Sequence, residues 1–123
     1  MKIAPSLLSA DFANLASELK DIDKAGADLV HLDVMDGHFV PNLTFGCPII
    51  KALRKHTTLP FDVHLMTEHP EVYFDDLAKA GAAMVSFHAE AAVHHARIVH
   101  AIQEMGMKAG IALHQGTPLS MIE

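Results

Sequence analysis

The sequence has no tryptophan, one tyrosine and a single cysteine, Cys47, among its 123 residues. A lone cysteine cannot form an internal disulfide, which is typical of proteins in a reducing cytoplasm. No apolar run approaches the roughly 20 residues of a membrane span. The apolar run from Ile3 to Ala10 is short, contains Pro5 and leads into Asp11, so we expect a strand there rather than a secretory signal. We therefore expect a cytoplasmic protein with no membrane partner.

Basic residues are also few, because 9 Lys and Arg stand against 15 Asp and Glu and give a net charge of −6. A nucleic-acid partner needs a basic face, so we expect none. A small phosphorylated substrate is compatible with this charge, because backbone amides at a helix N-terminus can hold a phosphate. With 50% hydrophobic and 20% charged residues, the chain has the composition of one globular domain.

Strand-like and helix-like segments alternate along the whole chain. The predicted strands span residues 3–9, 29–35, 59–67, 84–90 and 108–114. Four helical patterns fill the intervals, and Thr117-Pro118 is typical of the start of a fifth. Residues 24–33 also repeat in residues 79–88, where an Ala-Gly-Ala helix end leads into a strand in both copies. Regular alternation of this kind predicts βα units and a parallel sheet.

Polar side chains share one face of the second and third predicted strands. His31, Asp33 and Met35 lie on one face of the second strand, and Asp62, His64 and Met66 share a face of the third. Burying an imidazole and a carboxylate without partners costs roughly several kcal/mol, so we expect a metal, a substrate or a hydrogen-bond network opposite them. Parallel α/β folds build their sites at the carboxyl ends of the strands.

Two imidazoles and one carboxylate form a ligand set that suits zinc, iron(II), manganese or cobalt. His31, Asp33 and His64 are therefore candidate ligands of one divalent metal ion. Such an ion could polarise a sugar carbonyl and stabilise an enediolate, and Asp33 could remove the adjacent proton as a general base. In the alternative interpretation, His31 and Asp33 form a hydrogen-bonded pair and His64 is a satisfied core histidine. The three residues together favour a site.

The remaining candidates are less specific. Met35 and Met66 either line the cavity or fill the core. Ser6 faces inward from the first predicted strand, and we expect it to bind a sugar hydroxyl, with a backbone contact as the alternative. His88 is predicted to be a neighbour of the network or substrate rather than a ligand, and His38 is predicted to lie at the surface.

Four segments resemble the ribulose-phosphate 3-epimerase family. They are Ala4-Pro5-Ser6-Leu7-Leu8-Ser9-Ala10-Asp11, the block from His31 to Asn42, Asp62-Val63-His64-Leu65-Met66 and His88-Ala89-Glu90. The resemblance covers essentially the whole chain. It implies a (β/α)8 TIM barrel that interconverts ribulose 5-phosphate and xylulose 5-phosphate in the pentose phosphate pathway, with a divalent metal and two aspartates.

The resemblance also implies roles for individual residues. His31, Asp33 and His64 would bind the metal, and Asp33 would be one of the two acid/base groups. Ser6 and His64 would contact the substrate. By the same resemblance, Met35 and Met66 would shield the intermediate.

The sequence differs from the family in two respects. The family usually continues the fifth strand as Asn-Pro-Gly-Thr-Pro, where this chain has His114-Gln115-Gly116-Thr117-Pro118. We expect His114 to point into the cavity, where it could crowd the site or add an imidazole. A (β/α)8 barrel needs about 250 residues, so we expect residues 1–123 to form a single partial (β/α) barrel domain of about five strands and four helices. The second aspartate and the phosphate-binding loops would lie outside it.

A half-barrel leaves two open sheet edges, so we expect a homo-oligomer in which two half-barrels could pair about a two-fold axis. Three functions stay open. The chain could be the epimerase, an epimerase of another ketose phosphate such as allulose 6-phosphate, or a non-catalytic metal-binding half-barrel assembly. An assay of xylulose 5-phosphate formation separates the first from the third.

Overall fold

The computed structural model describes all residues from Met1 to Glu123. Its centre is a parallel sheet with the strand order β1-β2-β3-β4. The strands are β1 (Val30–Met35), β2 (Phe61–Met66), β3 (Ala82–His88) and β4 (Lys108–Ala112), and the helices are α1 (Leu15–Lys24), α2 (Cys47–Leu53), α3 (Phe74–Lys79) and α4 (His95–Glu104). One helix lies in each crossover between neighbouring strands. This is the arrangement of a (β/α) half-barrel, as the sequence predicted. None of the helices is both long and apolar enough to cross a membrane.

Burial alternates along the first two strands with a period of two. In both β1 and β2 the first, third and fifth residues are buried, and the residues between them are half-buried. The buried faces join the helices in one core, which includes Val30, Leu32, Phe61, Val63, Leu65, Val85, Phe87, Leu19, Ile50, Leu77 and Ile102. The predicted division into an apolar and a polar face is therefore confirmed for these strands.

The register between β1 and β2 brings the polar residues side by side. The Cα partners include His31 with Asp62, Asp33 with His64, and Met35 with Met66. Side chains of paired residues in a parallel sheet point to the same face. Six polar or sulfur-containing side chains thus share one face of two adjacent strands.

The predicted first strand, residues 3–9, is not a strand of the sheet. Only Ser6 forms a bridge, to His31, and Leu7–Ser9 is a short 3-10 helix. Pro5 has no backbone N–H to donate to a ladder, although its carbonyl accepts a hydrogen bond from the His31 N–H at 2.9 Å. The sheet therefore has four strands instead of five.

Three other predicted elements are shorter in the structure. The strand expected to reach residue 90 ends at His88, and the strand expected to reach residue 114 ends at Ala112. The predicted fifth helix is only the 3-10 turn Leu119–Met121. Four α-helices are present, as expected.

The two copies of the internal repeat form the same kind of turn. Gly26 follows α1 with a φ of 82°, and Gly81 follows α3 with a φ of 84°. A positive φ is unstrained only for glycine, which explains why both helices end in this way. The chain then enters β1 at Val30 and β3 at Ala82, so β3 follows its glycine directly, whereas three residues separate Gly26 from β1.

Candidate metal centre

Three side chains converge on the polar face of β1 and β2. His31, Asp33 and His64 each offer a ligand atom, and these atoms all lie within 4.8 Å of one another. Asp33 Oδ1 is 3.2 Å from His31 Nε2 and 3.2 Å from His64 Nδ1. One carboxylate oxygen therefore lies between two imidazole nitrogens. The structure brings together the three residues that the sequence suggested as metal ligands.

The second carboxylate oxygen of Asp33 has a different partner. Ser6 Oγ donates a hydrogen bond to Asp33 Oδ2, because the bridge between Ser6 and His31 places the hydroxyl beside β1. Ser6 Oγ also accepts a hydrogen bond from the Leu8 N–H at 3.1 Å. The structure thus gives Ser6 a backbone contact and a carboxylate contact, while its contact with a sugar stays a prediction.

The electrostatic state of Asp33 follows from its neighbours. Burial raises the pKa of this carboxyl, but hydrogen bonds from His31, His64 and Ser6 together outweigh the effect of burial. The pKa of Asp33 therefore lies well below its ordinary value. Asp33 is therefore ionised at neutral pH. The anionic oxygen of Asp33 and the two imidazole nitrogens together form a donor set that fits a divalent cation.

His31 lies between two carboxylates. Its Nε2 is 3.2 Å from Asp33 Oδ1, and its Nδ1 is 3.0 Å from Asp62 Oδ2. These hydrogen bonds, first that with Asp33 and then that with Asp62, raise the pKa of His31 to about 10 against the opposing effect of burial. Asp62 was not among the site residues predicted from the sequence. The sequence does indicate its position, because period-two alternation places Asp62 on the same face as His64.

His64 extends the cluster toward β3. Its Nε2 is 2.8 Å from Nε2 of His88, and the two rings stack with centroids 4.9 Å apart. His88 is buried, and this burial, followed by the nearby charge of His64, lowers its pKa. His88 Nδ1 lies 3.4 Å from Glu90 Oε2, and both of these atoms are buried without a hydrogen-bond partner. A polar chain thus runs from Asp33 across three strands to Glu90.

The methionines lie on the same face at the ends of the strands. Met35 and Met66 are Cα partners and are both half-buried. Neither belongs to the hydrophobic core cluster, which favours the cavity wall over core filling. Their contact with a substrate stays a prediction. His38 is exposed in the loop that follows β1.

His114 lies outside the strand that was expected to orient it. Because β4 ends at Ala112, the alternation of faces does not reach residue 114. The His114 backbone N–H donates to Glu90 Oε1, and its ring Nδ1 accepts a hydrogen bond from the Gly116 N–H at 3.3 Å. The side chain is exposed and adds no ligand to the cluster of His31, Asp33 and His64.

The loop after β1 folds back onto the strand that carries the cluster. Thr44 Oγ1 donates to the Asp33 carbonyl at 2.8 Å and accepts from the Met35 N–H at 3.0 Å. Asp36 Oδ2 accepts from the Glu68 N–H at 2.9 Å, which ties this loop to the one after β2. The backbone on the carboxyl side of Asp33 is therefore fixed by side-chain hydrogen bonds, and a site needs such support to hold its geometry.

Comparison with known proteins gives a consistent result over the whole chain. A family model described as the ribulose-phosphate 3 epimerase family matches residues 2–123. Proteins named ribulose-phosphate 3-epimerase from Bacillus subtilis (strain 168) and Rhodobacter capsulatus are 55% and 53% identical over 123 residues. These residues are 100% of this chain and 57% and 54% of those proteins.

A third relative comes from Oryza sativa subsp. japonica and is named ribulose-phosphate 3-epimerase, cytoplasmic isoform. It is 49% identical over 122 residues, which are 98% of this chain and 54% of that protein. The chain thus spans about half the length of these curated relatives.

Proposed function

Because this chain belongs to the ribulose-phosphate 3-epimerase family, we propose that it serves the metal-dependent epimerisation of ribulose 5-phosphate and xylulose 5-phosphate at C3. One observation carries the proposal, namely that Asp33 Oδ1 lies 3.2 Å from both His31 Nε2 and His64 Nδ1. This geometry combines a base with a cation site at one carboxylate. The names of the relatives supply the substrate.

In this proposal, His31 Nε2, an oxygen of Asp33 and His64 Nδ1 hold one divalent metal ion. Two imidazoles and one carboxylate fit zinc, iron(II), manganese and cobalt. When bound, the ion supplies Lewis-acid polarisation of the ketone and stabilises the negative charge of the enediolate.

Asp33 is the proposed general base. Its pKa lies well below the ordinary value, so the carboxylate is ionised at neutral pH, which is the state that a general base requires. The proton passes from C3 to the carboxylate, and the electron pair of the broken C–H bond stays in the enediolate. Inversion then requires a proton from the opposite face of the planar intermediate, because one carboxylate reaches only one face. A second acid on that face completes the epimerisation.

The other predicted residues surround the same point. Ser6 and His64 are the proposed substrate contacts, since Ser6 Oγ already touches Asp33 and His64 lies across from it. Met35 and Met66, half-buried on this face, would shield the intermediate from water. We propose that the substrate is a phosphorylated ketopentose and that the protein acts in the cytoplasm, which the lone Cys47 and the cytoplasmic isoform from Oryza sativa support.

We also propose that residues 1–123 form a single partial (β/α) barrel domain and that copies of it associate. The outer edge of β4 has no partner strand, and beside β1 lies only the bridge to Ser6. Such edges are prone to pair with another chain. Light scattering tests this proposal, and a folded monomer at micromolar concentration would contradict it.

The function is tested with the purified chain and with two variants, Asp33→Asn and Asp75→Asn. The second is the matched control, because it removes the same charge from an exposed residue of α3. Ribulose 5-phosphate is incubated in D2O, and xylulose 5-phosphate formation and deuterium at C3 are measured together with bound zinc. We expect Asp33→Asn to lose zinc and to slow C3 exchange by about 100-fold or more, while Asp75→Asn behaves as the wild type.

The three readouts separate the possible functions. C3 exchange without xylulose 5-phosphate formation identifies Asp33 as a base that lacks the opposite acid. Stoichiometric zinc without any exchange favours the non-catalytic metal-binding assembly over the epimerase. A chain that neither binds zinc nor exchanges the C3 proton would contradict the proposed function.

A further inference from the structure

On the basis of the metal centre proposed above, we propose that Asp62 is a positioning residue that holds His31 in the tautomer whose Nε2 can bind the metal. The observation is the hydrogen bond between His31 Nδ1 and Asp62 Oδ2 at 3.0 Å. Asp62 lies on β2 and His31 on β1, and the two are Cα partners in the sheet. The contact is therefore set by strand register rather than by a loop.

The tautomer follows from the chemistry of the two groups. A neutral imidazole carries one N–H and one lone pair, and a carboxylate only accepts hydrogen bonds. When the ring gives up one proton to a metal, the nitrogen that faces Asp62 therefore keeps its proton, and His31 Nε2 offers its lone pair. That lone pair is directed to the Asp33 side, where Nε2 lies 3.2 Å from Asp33 Oδ1. Without Asp62, the one proton of the neutral ring would be held on Nε2, where it bonds to Asp33 and opposes metal binding.

Asp62 acts on the metal only through His31. It lies on the Nδ1 side of the ring, whereas Asp33 lies on the Nε2 side. The group of possible ligand atoms within 4.8 Å of one another contains His31, Asp33 and His64 and does not include Asp62. The imidazole thus separates the Asp62 carboxylate from the proposed ion, which makes Asp62 an orienting partner rather than a fourth ligand.

The contact is partly accessible to water, which sets its expected strength. The side chains of His31 and Asp62 are 25% and 29% exposed, so water competes for both groups. Carboxylates that orient metal-binding histidines typically change metal affinity by about 10–100-fold when they are removed. We expect Asp62 to lie in this range, since its hydrogen bond is well placed but not fully buried.

The test compares zinc affinity of the wild-type chain with Asp62→Ala, Asp62→Asn and the charge-matched control Asp75→Asn. Zinc is titrated in competition with a chromophoric chelator. We expect Asp62→Ala to bind zinc about 10–100-fold more weakly. Asp62→Asn should lie between Asp62→Ala and wild type, because its carbonyl oxygen still accepts from Nδ1–H while its amide group can also donate in a flipped orientation. Asp75→Asn should match the wild type.

Two further readouts separate positioning from a general loss of folding. The cobalt(II)-loaded wild type and variants are compared by visible absorption, which reports the ligand geometry. In the metal-free chain, the Nδ1 proton of His31 is followed by NMR as a slowly exchanging downfield resonance. We expect this resonance to disappear in Asp62→Ala, in a chain whose amide spectrum is otherwise preserved, and to persist in Asp75→Asn.

The outcomes distinguish this inference from the function on which it rests. If the wild type binds zinc and Asp62→Ala binds it equally well, the positioning role of Asp62 is wrong and the metal centre stands. If the wild type does not bind zinc, the proposed metal centre fails and the role of Asp62 fails with it.

Discussion

His64 and His88 meet through their Nε2 atoms at a distance of 2.8 Å. Two lone pairs at this distance would repel and two N–H groups would clash, so one ring donates and the other accepts. If His64 binds a metal through Nδ1, its Nε2 carries the proton and donates to His88. His88 then carries its own proton on Nδ1, which lies 3.4 Å from Glu90 Oε2. Each proposed histidine ligand thus has a partner on the nitrogen that faces away from the metal.

The first prediction concerns this acceptor. His88→Phe keeps an aromatic ring of similar size but leaves the His64 Nε2–H without a partner, and a buried unsatisfied donor costs about 1–3 kcal/mol. We therefore expect zinc affinity to fall by about tenfold or more, measured by competition with a chelator. His38→Phe, the same substitution at an exposed loop histidine, is the control and should bind zinc normally. Equal zinc affinity in the two variants would show that His88 does not support His64.

The grouping of the three candidate ligands could be predicted from the sequence because two simple rules suffice. Alternation assigns His31 and Asp33 to one face of β1 and His64 to one face of β2. The βα pattern makes the strands parallel neighbours, so that their polar faces coincide. The observed pairing of Asp33 with His64 confirms that these residues lie side by side.

The partners of these residues could not be predicted in the same way. Alternation gives the face of Asp62 but not its lateral neighbour, because that depends on the register of β2 against β1. The contact with His31 exists only because the two residues are Cα partners. Likewise, just beyond the end of β4 the His114 N–H donates to Glu90, a long-range contact that local sequence does not reveal. The Ser6 hydroxyl accepts a hydrogen bond from the Leu8 N–H and so caps the 3-10 helix Leu7–Ser9. This local hydrogen bond competes with strand pairing in the predicted first strand.

The second prediction is that zinc binding releases a proton from His31. Hydrogen bonds with Asp33 and then with Asp62 raise the pKa of His31 to about 10 in the metal-free chain, so the ring is protonated near neutral pH. The metal needs the Nε2 lone pair and must displace that proton. Zinc affinity should therefore rise by about tenfold per pH unit on the acidic side of this pKa and level off above it.

Calorimetric titration of zinc in buffers of different ionisation enthalpy measures the protons released. We expect about one proton per zinc from His31. The same raised pKa stabilises the folded metal-free chain at pH values below the ordinary histidine pKa, and this stabilisation should decline as the pH rises through about 10. Zinc affinity that does not change between neutral and mildly alkaline pH would contradict the assigned state of His31.

The third prediction uses the two glycines of the internal repeat as a matched pair. Gly26 and Gly81 have nearly the same φ, 82° and 84°, so alanine is strained by the same backbone conformation at both. Their surroundings differ. A Cβ at Gly26 would meet nothing within 4 Å, whereas a Cβ at Gly81 would lie 2.8 Å from Arg54 Cδ. The difference between the two variants therefore measures the clash with Arg54 alone.

Arg54 cannot move aside without loss. Its Nη2 donates to the carbonyls of Thr57 and Leu59, both at 2.7 Å, and its guanidinium lies 3.9 Å from the centre of the Phe61 ring. We expect Gly26→Ala to lower the free energy of unfolding by about 1 kcal/mol. Gly81→Ala should lower it by about 1–3 kcal/mol more. Urea unfolding of both variants gives these values.

Removing the arginine side chain tests the cause of that difference. In an Arg54→Ala background, Gly81→Ala should cost no more than Gly26→Ala, because the atom that blocks the new Cβ is gone. Since Arg54 also binds two carbonyls, Arg54→Ala destabilises the chain by itself, and only the coupling between the substitutions is informative. If Gly81→Ala costs the same with and without Arg54, the backbone conformation alone explains why the helix before β3 ends in glycine.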